Sequence, residues 1–80
     1  MTVRVLCFGV LRELLGSGEL ALQLPEGAAV DQVVRQCRER SAASPVWDCL
    51  AVAVNEEYSR RNRTLAEGDT VALLPPVSGG

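Results

Sequence analysis

Two hydrophobic patterns divide the chain into elements. Apolar and polar residues alternate in four segments, as in strands with two different faces, and these segments are 2–8, 19–24, 50–54 and 70–74. A spacing of i, i+3, i+4 and i+7 predicts one amphipathic helix, and the residues that carry it are Val30, Val33, Val34 and Cys37. Gly9 and Gly16 bracket one or two further helical turns, and Tyr58 begins a minor edge strand.

The order of these elements predicts a fold. A hairpin, a crossing helix and returning strands give an α+β protein of the β-grasp (ubiquitin-like) type. We expect a mixed sheet of four to five strands with one main helix packed on one face. The last strand lies inside the sheet, so an extended C-terminal tail leaves from a firmly held element. We divide the chain into a domain at 1–74 and a flexible Gly-Gly tail at 75–80.

Composition narrows the function classes. The chain has 80 residues, which predicts one domain with too small a core for an enclosed active site. It has no histidine, and all eight basic residues are arginine, so the commonest general bases are missing. The net charge of −2 argues against nucleic-acid binding. The strand pattern begins at the first residues, so we expect no signal peptide. The sequence has no apolar run long enough to span a membrane, so we expect a cytoplasmic protein without membrane contact.

Cysteine and arginine give two weaker signals. Cys7, Cys37 and Cys49 have no metal-ligand spacing, so we expect three small buried hydrophobic side chains and no metal. The basic cluster of Arg60, Arg61 and Arg63 fits a solvated loop better than a phosphate site. Its role stays open at this point.

The diglycine at the end of the sequence is the feature with most chemical meaning. Gly79 and Gly80 lack side chains, so a terminal carboxylate can enter a channel too narrow for other residues. The alternative is a frayed end, because termini are usually disordered. Pro75 and Pro76 favour a stiff, extended path, and six residues reach roughly 20 Å. Val77 follows them as an apolar anchor, and we expect the segment from Pro75 through Ser78 to Gly79 to insert into a partner.

Several segments together resemble the small subunit of molybdopterin synthase, the MoaD family of ubiquitin-like sulfur carriers. The resemblance covers essentially the whole chain and is most specific at the Pro-Pro-Val-Ser-Gly-Gly ending. It departs from the family at the start of the helix, where a Thr or Ser cap is commoner, and at Leu73-Leu74, where aromatic residues are often found. The segments that carry it are 8–14, 53–55, 67–71 and 74–80.

The resemblance implies a reaction cycle centred on Gly80. An E1-like enzyme uses ATP to adenylate the Gly80 carboxylate, and a sulfurtransferase persulfide converts it to a thiocarboxylate. The tail then inserts into the large synthase subunit, within a heterotetramer of two small and two large subunits. Its sulfur is donated to cyclic pyranopterin monophosphate in molybdenum cofactor biosynthesis. The chain itself binds no cofactor, and the large subunit supplies the active site, so the chain is a sulfur donor rather than the catalytic subunit.

The resemblance also implies a partner surface on the sheet face opposite the helix. Carried over to this chain, that surface comprises Phe8, Tyr58 and Leu74, and the alternation already places Phe8 and Leu74 on that face. The competing interpretation is ordinary exposed apolar residues. Arg12 either pairs with an acidic group of the partner or forms a surface ion pair of little consequence.

Three alternatives share some of these features. A ubiquitin-like modifier would join Gly80 to target lysines after the same activation step. A sulfur carrier for another pathway, such as thiamine thiazole synthesis, would share the thiocarboxylate. An inert β-grasp interaction domain would keep its function without Gly79 and Gly80.

Overall fold

The alternating segments assemble into one mixed sheet. The computed structural model describes residues 1–76, and its strands stand in the order β2-β1-β5-β3-β4. The elements in chain order are β1 (Thr2–Cys7), α1 (Val10–Leu15), β2 (Glu19–Gln23), α2 (Val30–Glu39), a 3₁₀ helix (Pro45–Asp48), β3 (Ala51–Val54), β4 (Glu57–Tyr58) and β5 (Thr70–Leu74). The predicted β-grasp architecture is confirmed, with five strands and α2 as the main helix.

The last strand lies in the middle of this sheet, as predicted. β5 pairs in parallel with β1, where Cys7 lies opposite Leu73, and antiparallel with β3, where Ala51 lies opposite Leu74. Backbone hydrogen bonds on both sides therefore hold the strand that leads into the tail. The predicted hairpin of β1 and β2 is also antiparallel.

Three strand ends differ from the prediction by one residue, and one of them is the end of β2, which lies at Gln23 rather than Leu24. β1 ends at Cys7, because the carbonyl of Phe8 accepts a hydrogen bond from the Leu11 N–H at 3.1 Å, which turns the chain into α1. β3 begins at Ala51 rather than Leu50, since the 3₁₀ helix runs to Asp48 and the Cys49 N–H still donates back to the Val46 carbonyl at 3.2 Å. Pattern alone extends a strand by a residue wherever the next side chain happens to keep the alternation.

The core lies between the sheet and α2. The apolar stripe of α2 is buried, and residues of β1 and β5 with no exposed surface face it, namely Val3, Val5, Val71 and Leu73. Burial, with a smaller contribution from the neighbouring Cys7, raises the pKa of the Cys37 thiol to about 11. Cys7 and Cys37 are buried as predicted.

Cys49 is exposed, which contradicts the prediction of three buried cysteines. It follows the 3₁₀ helix directly, and its thiol donates to the Pro45 carbonyl at 3.5 Å. The buried residues of this segment are instead Val46 and Trp47. The Trp47 indole N–H donates to the Ser41 hydroxyl at 3.0 Å, so its polar atom is satisfied.

The segment with the arginine cluster closes the start of α2. The Val30 and Asp31 N–H groups donate to the carbonyls of Arg63 and Arg61 at 2.9 and 2.8 Å. The Gln32 side chain accepts from the Ala29 N–H at 2.9 Å, which compensates in part for the missing Ser or Thr cap. These backbone donors are already used, so the helix start offers them to no anion, in line with the interpretation of a solvated loop.

Within residues 1–76, no helix is both long enough and apolar enough to cross a bilayer.

Candidate functional site

The sheet face that α2 leaves uncovered carries a row of apolar side chains. Strand pairing sets Leu6 beside Ala72, Ala72 beside Ala53, and Ala53 beside Tyr58. Directly paired residues point to the same face, so this row crosses four strands. Tyr58 stands at its edge and is 81% exposed.

A second apolar row runs beside the first, closer to the tail. Leu74 pairs with Ala51, and Phe8 follows Cys7, the partner of Leu73. Phe8 and Leu74 line one groove, and Phe8 is 46% exposed while Leu74 is partly buried. We call the two rows together the open face, which comprises Leu6, Phe8, Ala51, Ala53, Tyr58, Ala72 and Leu74.

The structure therefore brings together two of the predicted interface residues and separates the third. Phe8 and Leu74 meet at the end of β1 and β5. Tyr58 lies on β4, two strands from β5, and strands are spaced about 4.8 Å apart, so it is roughly 10 Å from that strand. All three belong to the open face, where the small and largely buried side chain of Ala53 lies between Tyr58 and the residues near the tail.

Arg12 lies on α1 at the edge of this surface. Its guanidinium approaches Gly18, and it lines a neighbouring groove with Phe8 and Leu6. The ion pairs formed within residues 1–76 join Arg4 to Glu19, Arg35 and Arg61 to Asp31, and Arg38 to Asp48. Arg12 takes part in none of these pairs. Of the two interpretations of Arg12, the described contacts give no support to the internal ion pair.

A polar margin ends the open face on the side away from the tail. Arg4 pairs with Thr70 across β1 and β5 and hydrogen-bonds to Glu19 on β2. The Asn55 side chain accepts from the Thr70 N–H at 3.0 Å and donates to the Asp69 carboxylate at 3.0 Å. The open face is thus apolar near the tail and polar at its far end.

Asp69 is the centre of this margin. Its second carboxylate oxygen accepts from the Ala66 N–H at 2.8 Å. That bond, together with the Asn55 amide and the nearby charge of Arg63, lowers the pKa of Asp69. Asn55 and Asp69 therefore fasten the β3–β4 turn to the start of β5.

The first residue of the tail packs against the turn before α1. Pro75 is partly buried, whereas Pro76 is exposed. A Cβ added at Gly9 would lie 2.9 Å from the Cγ of Pro75, so the Pro75 ring packs closely on the Gly9 backbone. The predicted tail residues Val77, Ser78, Gly79 and Gly80 lie outside the described residues.

Sequence reasoning missed Leu6 as a residue of the open face, and it missed the exposure of Val10 on α1. Leu6 lines the groove with Phe8 and Leu74, and its alternation with Phe8 was the available signal. Val10 opens α1 and is 43% exposed, which makes it one of the large exposed hydrophobic residues of the described chain. Residues 1–76 also hold no cluster of three or more potential metal ligands.

Comparisons with known proteins cover the whole chain. The model of the ThiS family matches residues 5–80. The molybdopterin synthase sulfur carrier subunit of Chlamydomonas reinhardtii is 36% identical over 86 aligned residues, which cover 100% of both chains. SAMP1 from Haloferax volcanii matches with a TM-score of 0.87 at 27% identity, over 100% of both chains.

A further solved structure contains such a chain beside a partner. It is the complex of subunits 1 and 2 of the molybdopterin-converting factor from Helicobacter pylori 26695, with a TM-score of 0.72 at 25% identity over 100% of both chains. The resemblance to sulfur carrier subunits that the sequence predicted is confirmed. The chain belongs to the ThiS family, and the sulfur carrier subunits of molybdopterin synthase are among its relatives.

Proposed function

We propose that this protein is the sulfur-carrying small subunit of molybdopterin synthase. Similarity from end to end to a sulfur carrier subunit is the observation that carries the proposal. The described geometry supports it, because a central strand leads into the tail beside an exposed apolar face. A rigidly held exit limits the directions the tail can take, which lowers the entropy lost on insertion.

The chemistry takes place on Gly80. Its carboxylate oxygen attacks the α-phosphorus of ATP in an E1-like enzyme, and pyrophosphate leaves. The persulfide sulfur of a sulfurtransferase attacks the carbonyl carbon of the resulting acyl-adenylate, AMP leaves, and the product is an acyl disulfide that joins Gly80 to the sulfurtransferase. A protein thiol then attacks the sulfurtransferase sulfur, which forms a protein disulfide and releases the Gly80 thiocarboxylate. Adenylation is needed because oxide is too poor a leaving group for direct attack on a carboxylate.

The large synthase subunit completes the proposed site. The open face docks on it while Val77 to Gly80 enter its active site. There the thiocarboxylate sulfur forms a bond to a carbon of cyclic pyranopterin monophosphate as the oxygen on that carbon leaves. Water then cleaves the acyl–sulfur bond, which keeps the sulfur on the pterin and restores the Gly80 carboxylate. Two rounds supply the two sulfurs of the dithiolene. The catalytic acid and base groups belong to the large subunit in this scheme, within a heterotetramer of two small and two large subunits.

Mass spectrometry of the C-terminal tryptic peptide tests the proposal. The protein is incubated with its activating enzyme, ATP and an active sulfur source, and residues 64–80 are analysed. We expect the mass to rise by the difference between sulfur and oxygen, with fragments that place the change on Gly80. The peptide contains no Met, Cys or Trp, so oxidation does not imitate the shift easily. An unmodified Gly80 under active conditions would contradict the proposal.

A variant that lacks Gly80 is the matched control. We expect it to keep the melting temperature of the full chain and to lose both sulfur loading and molybdopterin formation. Gly79 then ends the chain, so the control also asks whether the length of the tail matters. A fall of several degrees in melting temperature would show that Gly80 contributes to folding.

A protein modifier is the second candidate. The similarity to SAMP1 favours it, since relatives of that name are described as small archaeal modifier proteins. The chain has no lysine, so it cannot form lysine-linked chains with itself. Gly80 adducts on lysines of other proteins, found in cells that make the activating enzyme, would support this function.

A further inference from the structure

We propose that Gly9 is a positioning residue for the C-terminal tail. Its missing side chain lets Pro75 pack against the turn between β1 and α1, and this contact sets the direction in which the tail leaves the sheet. The inference rests on the proposed function, because the direction of the tail matters only if Gly80 is delivered to a partner.

The backbone of Gly9 already requires glycine. Its φ is 56° and its ψ is −133°, a region that residues with a Cβ rarely enter. The turn is closed by the hydrogen bond from the Leu11 N–H to the Phe8 carbonyl at 3.1 Å. This conformation turns the chain directly after Phe8, so it also helps to place that side chain.

The contact with Pro75 adds a second and independent requirement. An added Cβ at Gly9 would lie 2.9 Å from Cγ of Pro75 and 3.9 Å from Cδ. Carbon atoms are at their best separation near 3.5–4.0 Å. The Cγ belongs to a ring that fixes φ, so it cannot rotate away as a flexible side chain would. Leu74 is held by its pairing with β3, so the displacement falls on Pro75 and the residues after it.

Other glycines of the described chain have a positive φ without a close contact, so they separate the effect of backbone conformation from that of the Pro75 contact. Gly16, Gly27 and Gly68 also have positive φ, yet an added Cβ would meet nothing within 4 Å. Gly18 approaches Arg12 rather than the tail. Gly16 lies at the other end of α1 in the left-handed helical region, with φ 73° and ψ 11°, and therefore provides a control for a positive φ without a contact with Pro75.

A double-mutant cycle tests the inference. Gly9→Ala and Gly16→Ala are each made with Pro75 and with Pro75→Ala, which removes the ring carbons. The readout is kcat/KM for adenylation by the activating enzyme, measured from pyrophosphate release at a temperature where thermal unfolding shows every variant to be folded. We expect Gly9→Ala to lower kcat/KM about tenfold, since a misplaced reacting group is costly, and Gly16→Ala to change it less than about twofold.

The coupling between Gly9 and Pro75 decides whether the inference holds. With Pro75→Ala, the effect of Gly9→Ala should shrink, because the clashing ring is gone and only the backbone strain at Gly9 remains. An equal loss in both backgrounds, or equal losses for the two glycine variants, would overturn the inference. If Gly9→Ala folds only together with Pro75→Ala, the clash itself is demonstrated.

An NMR measurement keeps the inference separate from the proposed function. In the unmodified protein we expect a nuclear Overhauser effect between the Gly9 Hα protons and the ring protons of Pro75, and its absence would overturn the inference. This result does not depend on adenylation or on whether any variant folds. If the wild-type chain is not adenylated while the contact is present, the proposed function fails and the structural basis of the inference remains.

Discussion

Leu73 and Leu74 are identical, adjacent residues of the same central strand, yet they serve different faces of the sheet. Leu73 has no exposed surface and packs in the core beneath α2. Leu74 is partly exposed and lines the groove with Phe8 on the open face. The difference shows that this small domain buries apolar side chains on one face and leaves apolar surface exposed on the other.

The largest expected effect follows from truncating Leu73. Leu73→Ala should lower the free energy of unfolding by about 3 kcal/mol, because it leaves a cavity in a fully buried site. Leu74→Ala should lower the free energy of unfolding by less than about 1 kcal/mol, since part of the Leu74 side chain remains exposed to solvent in the folded protein. Urea denaturation of the two variants measures both values. Similar losses in the free energy of unfolding for the two variants would contradict the expectation that the helix-covered face stabilises the fold more than the open face does.

Truncating Phe8 tests the open face directly. Phe8→Ala should weaken binding to the large subunit by about 2 kcal/mol, as for a central aromatic interface residue, while the free energy of unfolding changes by less than about 1 kcal/mol. Titration calorimetry and urea denaturation provide the two measurements. Arg35→Ala is the control, because Arg35 is exposed on α2, on the covered side of the sheet. Unchanged affinity of Phe8→Ala would remove Phe8 from the interface.

The two faces could be predicted from sequence because strand periodicity is a local property. Alternation alone places Val71 and Leu73 inward and Leu74 outward, as the structure has them. The central position of β5 needed the order of all elements, which the β-grasp topology supplied. The Gly-Gly ending predicted the chemistry proposed for Gly80, and both glycines lie outside the described residues.

Features that depend on contacts between distant residues could not be predicted in this way. The contact of Gly9 with Pro75 and the hydrogen bond of Asn55 with Asp69 arise only once strand register is set. The 3₁₀ helix that buries Trp47 is too short to show a period. The exposure of Cys49 follows from that helix, so residue type alone gave the wrong prediction.

The smallest predicted effect concerns Asp69, at the polar margin of the open face. Asp69→Ala should lower the free energy of unfolding by about 1 kcal/mol, because it removes the acceptors for the Ala66 N–H and the Asn55 amide. The pKa of Asp69 is lowered on folding, so its ionised form stabilises the fold. That contribution is complete above the ordinary pKa of 3.8 and is lost as the pH falls through the lower, folded value.

Measuring the free energy of unfolding of these variants across pH separates the hydrogen bonds of Asp69 from a general effect of surface charge. Asp48→Ala is the matched control, because Asp48 pairs with Arg38 at 3.2 Å on the surface and should contribute less than about 0.5 kcal/mol. The stability difference between wild type and Asp69→Ala should shrink below pH 3.8. Affinity for the large subunit should stay within about twofold, because Asp69 does not line the groove that holds Phe8 and Leu74. A large loss of affinity would mean that the polar margin also contacts the partner, and a difference independent of pH would mean that the charge of Asp69 does not contribute.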